Sequence, residues 1–217
     1  MAGKVRRGGR PSRSDALLLG QHILEVATEL FLSNGYGATT IEAVAMRAGI
    51  SKRTLYHRFD DKAALFAAVV HRIVAQIRPP PGVPLLEGAT PHDILRRLAG
   101  LILDAALAPR AIALHRLITA ESARFPELAR TMNAQGGAQE ATALIAELLS
   151  RAVSDPGFTP QARLFAAEQF LHMVVTLPQR RAMGLGTAMT PKELDAWTDH
   201  VVRLFLNGCR GWAAADA

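Results

Sequence analysis

Apolar residues in this chain recur every three or four positions rather than every second one, the periodicity of helices packed on a core. Over residues 14–34, Ile23, Ala27, Leu30 and Phe31 fall on one face. Gly35 then supplies the left-handed residue at which such a helix ends. A second set, Ile41, Val44 and Ala45, marks a short helix that Thr39 opens as N-cap, with Glu42 completing a capping box. Gly49 makes a turn, Ser51 caps a third helix, and Leu55 and Phe59, four apart, point inward. Asp60 and Asp61 precede a fourth helix, from Lys62 to about residue 76, whose apolar line is Leu65, Val69, Ile73 and Ile77.

The run RPPPGVP at 78–84 breaks any helix, because consecutive prolines remove donors and fix φ. Five helical patterns follow: 91–108, 110–124 with a continuation over 127–133, 138–154, 160–183 and 190–210. Thr90, Thr159 and Thr190 each stand before a proline, a capping residue ahead of proline at the first helical position. No strand pattern or internal repeat is persuasive. The pattern predicts an all-α chain of about nine helices.

The stretch 39–62 reads as a helix-turn-helix. Lys52, Arg53 and Thr54 occupy the first turn of its second helix, and Tyr56, His57 and Arg58 are left near the exposed side. Residues near the start of such a helix reach base edges in the major groove. Arg53 suits the bidentate contact to guanine, and Thr54 a thymine methyl or base edge. Tyr56, Lys52 and Lys62 suit phosphate, which fixes register without reading sequence directly. Thr39, Thr40, Ser51 and His57 complete the expected DNA-facing set, with helix N-termini offering free amides to phosphate.

Charge sharpens this. Of the net +6, much sits in residues 1–13, where Lys4, Arg6, Arg7, Arg10 and Arg13 stand without an acid; residues 63–217 are nearly balanced. A basic end implies a polyanionic partner there. Two readings stay open for this tail: a solubilising segment, or an arm whose Arg6, Arg7 and Arg10 enter the minor groove. A single Cys209 leaves no internal disulfide framework and fits a reducing cytoplasm. The apolar stretch 164–177 is interrupted by Glu168, Gln169 and His172, so no membrane span is expected.

Residues Ala27 to Thr40 (AxxLFxxxGYxATT) and Ile41 to Phe66 (IxxVAxRAGISKRTLYxRFxDKxxLF) carry a resemblance. From about residue 24 to 65 the chain closely resembles the DNA-binding domain of the tetracycline-repressor (TetR) family of bacterial transcription regulators. Val44 and Met46 depart from the family's more usual isoleucine and charged residue without changing the core role. The resemblance implies that the fourth helix mechanically links a DNA-binding domain to a regulatory one. The expected division is a basic arm at 1–13, a helix-turn-helix domain at 14–61, and a ligand-binding and dimerisation domain at 62–217.

In the second domain, Leu164, Leu171 and Val175 form a stripe that Phe165 widens, and Trp197, Val201, Leu204 and Phe205 repeat the pattern in the last helix. An ordinary core is one reading. The favoured one is a homodimer interface, because a helix-turn-helix protein usually reads a palindromic operator with two copies; the resemblance implies the same surface. Residues 111–128 look like the corresponding helix in a subset of the family. Leu101, His115, Ile118, Thr119, Ser122, Phe170 and Met173 are the candidates to line an effector pocket, apolar with few polar groups. His115 reads equally as a core or surface histidine, and Glu121 with Arg124 as an i,i+3 surface pair.

Nothing positive points to an enzyme. The sequence lacks a G-x-G-x-x-G or phosphate loop and H-E-x-x-H, and its seven histidines are dispersed without ligand spacing. No cofactor and no metal are expected. The sequence thus points to a regulator that binds double-stranded DNA, most simply a repressor released by a small lipophilic or aromatic effector. A constitutive DNA-binding protein, and a small-molecule-binding protein with a vestigial DNA unit, remain as alternatives.

Overall fold

Caps and prolines set where the helices begin. The computed structural model describes residues 13–78, 85–86, 88, 90–134, 137–152 and 158–210. Among these are ten helices and no strand. They are α1 (Arg13–Asn34), α2 (Ile41–Arg47), α3 (Lys52–Tyr56), α4 (Lys62–Ile77) and α5 (Pro91–Leu107). There follow α6 (Pro109–Glu121), α7 (Glu127–Ala134), α8 (Gly137–Ala152), α9 (Pro160–Ala182) and α10 (Pro191–Arg210). The all-α class stands. The tenth helix arises because the continuation past Phe125 is a helix of its own: Pro126 disfavours helical geometry at the residue before it. The basic arm with Arg6, Arg7 and Arg10 lies outside the described residues.

One expected cap moves by a residue. Thr40, not Thr39, caps α2, its hydroxyl oxygen accepting from Ala43 N–H at 3.1 Å. Glu42 does not complete a box there; its carboxylate pairs with Lys52 instead. The capping box is found at α10, where Thr190 accepts from Glu193 N–H at 3.3 Å and Glu193 accepts from Thr190 N–H at 2.7 Å. Thr90 and Thr159 cap α5 and α9 as their Thr-Pro pairs predict.

Over Ser14–Asn34, α1 has the length and mean hydropathy (1.2) of a membrane-spanning helix, where the sequence suggested 164–177 as the most apolar run. Its apolar side is taken up by the core: Ile23, Ala27 and Phe31 are fully buried.

Two hydrophobic clusters run through the described residues. The first joins α1, α2, α3 and α4 to α6 and α7 through Phe31, Tyr36, Leu55, Phe66, Leu114, Leu117, Ile118 and Leu128. The second belongs to α5, α8, α9 and α10, around Leu95, Ile145, Phe170, Val202 and Phe205. The helix pair α6–α7 therefore packs with the N-terminal unit although the chain reaches it only after α5.

Inside α9, Pro178 is buried and has no N–H for the carbonyl four residues back. The indole of Trp197 on α10 supplies that bond, donating to Val174 O at 3.0 Å. A helix defect on one element is thus satisfied by a side chain of the next.

Candidate nucleic-acid interface

The helix-turn-helix is assembled from short local bonds. Gly49 takes φ +67, which lets the chain turn between α2 and α3. Ser51 caps α3: its Oγ accepts from Thr54 N–H at 3.1 Å and lies 2.8 Å from Thr54 Oγ1. Such a cap contributes about 1 kcal/mol. Leu55 anchors the helix in the core at full burial. Arg58 donates to Ala16 O at 2.9 Å and so ties the end of the reading helix to the first turn of α1. Asp61 caps α4, accepting from Ala64 N–H at 2.7 Å.

These ties leave Ser51, Arg53, Thr54, Tyr56 and His57 lining one open groove on the outer face. Arg53 is exposed and has no partner among the described residues. Tyr56 and His57 stand exposed beside it. Thr54 is half-buried, its hydroxyl shared with Ser51. Lys52 is exposed but engaged: it pairs with Glu42 and its Nζ stands 5.7 Å over the Tyr56 ring. Hydrogen bonding to Lys52 holds the Glu42 carboxyl below its ordinary value, and the same contact raises the Lys52 ammonium.

Two expected DNA contacts are placed otherwise. Thr39 is buried, at 1% exposure, with its hydroxyl donating to Leu30 O at 3.1 Å or to Gly35 O at 2.8 Å. Lys62 turns inward and donates to Tyr36 O at 2.9 Å, Thr39 O at 3.2 Å and Gly37 O at 3.4 Å, its Nζ 4.4 Å over the Tyr36 ring. Loop carbonyls with no helical partner recruit a cation, and the chain has placed it here instead of on a phosphate. The amides of Ala43 and Thr54 are already capped, which narrows what the starts of α2 and α3 can offer an anion.

The effector set is split. Ile118 is buried in the first cluster and Phe170 in the second, its ring 4.8 Å from Phe205. Thr119 faces solvent, while Leu101, His115, Ser122 and Met173 are half-buried. A separate open groove between α5 and α10, lined by Asp93, Arg96, Gly100, Asp195 and Thr198 among others, includes none of the seven. The dimer set also divides. Leu164, Phe165 and Leu204 are 46%, 50% and 66% exposed. Leu171, Val175 and Trp197 are half-buried. Val201 and Phe205 are core residues of their own protomer, because α10 turns that side onto α5 and α9.

Sequence reasoning missed the polar links between distant elements of the first cluster. Glu121 does not pair along its helix with Arg124; it reaches the turn before α2, at Tyr36 and Gly37. Glu25 on α1 accepts from both Arg72 of α4 and Arg110 of α6. Hydrogen bonding to Arg110 is the main cause that holds the Glu25 carboxyl below its ordinary value. The one signal available was the Gly-Tyr-Gly run at 35–37, with more glycine than a helix end requires.

A sequence model described as bacterial regulatory proteins of the tetR family matches residues 23–69, and one described as the AefR-like transcriptional repressor C-terminal domain matches residues 93–208, more than half of the chain. The flavonoid-responsive regulator FrrA is 30% identical, with a TM-score of 0.70 over 88% of this chain and 96% of its own. A TetR-family regulator from Mesorhizobium loti is 27% identical, with a TM-score of 0.70 over 91% of this chain and 98% of its own. The transcriptional activator FasR of Mycolicibacterium smegmatis is 42% identical over 73 residues, 34% of this chain and 32% of FasR. The regulator UidR of Escherichia coli is 32% identical over 111 residues, 49% of this chain and 53% of UidR. This chain therefore spans about half or less of the length of these curated relatives. It belongs to the TetR family of bacterial regulatory proteins, a class of regulators and not of enzymes.

Proposed function

We propose that this TetR-family chain is a sequence-specific transcriptional regulator that reads a palindromic operator as a homodimer and responds to a small effector. The groove of Ser51, Arg53, Thr54, Tyr56 and His57, where the Arg53 side chain has no partner among the described residues, carries the reading. Arg53 is the base-reading group, Tyr56 and His57 hold phosphate, and the arm with Arg6, Arg7 and Arg10 adds minor-groove contacts. Residues 14–61 make up the reading domain and 62–217 the regulatory one, within a reducing cytoplasm. Two copies meet through the exposed Leu164, Phe165 and Leu204 of α9 and α10, which sets the reading helices ~34 Å apart for successive major grooves.

Repression relieved by an effector is the favoured mode, supported by the C-terminal match to a repressor domain. A flavonoid-responsive relative with 30% identity supports an aromatic effector. Of the expected lining, half-buried Leu101, His115, Ser122 and Met173 retain side-chain surface to offer such a molecule. A ligand shifts the equilibrium only by its preference for the form that does not bind DNA.

The test is fluorescence anisotropy with duplexes from the chain's own upstream region. Arg53→Ala is expected to lose about 1–3 kcal/mol of binding at a guanine-containing site, and Leu164→Glu with Leu204→Glu to give monomers by sedimentation together with weaker operator binding. Wild-type affinity in Arg53→Ala would remove the assignment of the reading helix. The division of the effector set between two cores favours one second reading, a constitutive DNA-binding protein. A thermal-shift screen with flavonoids that raises the melting temperature of the wild type would exclude it.

A further inference from the structure

The turn between α1 and α2 is gripped by groups from two distant helices. Its amides at Tyr36 and Gly37 each donate, at 2.7 Å, to the two carboxylate oxygens of Glu121, the last residue of α6. Its carbonyls accept from Lys62, the first residue of α4. The Tyr36 ring packs 5.0 Å from Phe125. A carboxylate that accepts two backbone amides forms charge-assisted bonds, roughly twice as strong as neutral ones.

The glycines of the turn record this contact. Gly35 needs no side chain for its own reason, a φ of +87. Gly37 is not in that left-handed region, yet a Cβ there would lie 3.1 Å from Glu121 Oε2 and 3.2 Å from Phe125 Cε2. Its own backbone does not demand glycine, but the approach of Glu121 and Phe125 leaves little room for a Cβ, which would have to displace them. At the other end of α6, Arg110 pairs with Glu25 of α1 and donates to Gln76 of α4 at 3.1 Å. The middle of α6 is buried in the same core through Leu114, Leu117 and Ile118.

We propose that Glu121 is a positioning residue that couples α6 directly to the DNA-reading unit through the turn amides, in parallel with the packing of α4. This rests on the DNA-binding reading above. The turn leads straight into α2, which carries α3 through Ala45, Leu55 and the Glu42–Lys52 pair. A displacement of the C-terminal end of α6 must drag the turn with it or break both bonds. By reciprocity, DNA that fixes α2 and α3 must stiffen α6.

Amide hydrogen exchange on the full-length chain tests this, with and without a saturating duplex selected by the wild type from a random pool. Glu121→Gln keeps the side-chain shape but replaces one acceptor oxygen by an amide that cannot accept. Gly37→Ala keeps the carboxylate and pushes it away. In the free protein, Glu121→Gln is expected to speed exchange at Tyr36 and Gly37 by about tenfold or more, with α8 and α9 unchanged. On the duplex, wild-type α6 gains protection, and both variants lose that gain even when saturated with DNA. Unchanged exchange at Tyr36 and Gly37 overturns the clamp. Equal DNA-dependent protection of α6 in variants and wild type, or none in the wild type, overturns the coupling. A wild type that selects no duplex overturns the DNA-binding reading instead, and the free-protein exchange still decides whether Glu121 holds the turn.

Discussion

The two hydrophobic clusters are built on different principles. The first is cross-linked by polar groups that reach between sequence-distant elements: Glu121 and Lys62 on one turn, Glu25 between Arg72 and Arg110, Arg58 on Ala16. The second is mostly aliphatic, with fewer links between distant elements: the Trp197 indole on Val174 O and the pair Arg96–Asp195, while Arg151–Glu147 and Arg203–Asp199 lie within single helices. Apolar packing is non-directional and tolerates sliding, whereas carboxylate-to-amide and guanidinium-to-carboxylate bonds hold one geometry. The region that must present a helix at a fixed angle is the one so tied. The region expected to accept a ligand and a second copy carries fewer such links among the described residues, and Leu164, Phe165 and Leu204 are exposed there.

The largest effect should come from breaking the first core at its centre. Phe31 is fully buried, 5.3 Å from Phe66 and 5.7 Å from Tyr36. Phe31→Ala is expected to cost about 3–5 kcal/mol in urea unfolding. Protection from hydrogen exchange should fall together in α1–α4 and in α6–α7, with α8 and α9 less affected. If α6 and α7 kept their protection, the two clusters would not be the units described.

A smaller effect sharpens the second core. Trp197→Phe keeps the ring but leaves Val174 O without its donor, at an expected cost of about 1–3 kcal/mol. Adding Pro178→Ala restores a backbone N–H to that carbonyl, so the double variant should recover part of the loss by thermal denaturation. Strictly additive losses would count against the indole as the substitute donor.

The smallest concerns the ionic link across the first core. The Glu25 carboxyl is depressed, so its contribution is present above the unfolded value near ~4.3 and fades as pH falls through the lower folded value. With the side chain one-third exposed, the link is worth on the order of 1 kcal/mol or less after screening. Glu25→Gln should therefore lower the urea midpoint at pH 7 and differ less from the wild type at the lowest pH where both fold. A constant difference across that range would mean that charge is not what Glu25 contributes.

Much of the molecule follows from local rules that act within a few residues. The helix-turn-helix, the turns at Gly35 and Gly49, and the caps at Ser51, Thr90, Thr159 and Thr190 all depend on near neighbours, so the sequence alone determined them. The one misplaced cap, Thr39 for Thr40, shows the limit. Two adjacent threonines carry the same local signal, and only the fold buries the first against Leu30 and Gly35. Tertiary structure alone decided that Lys62 faces a loop rather than a phosphate, and that Val201 and Phe205 are core rather than interface. It alone brought Glu121 to a turn 85 positions earlier in the chain. Periodicity tells which side of a helix is apolar. It does not tell which neighbour covers that side, nor which distant backbone has amides left to satisfy, because those are properties of the assembled chain.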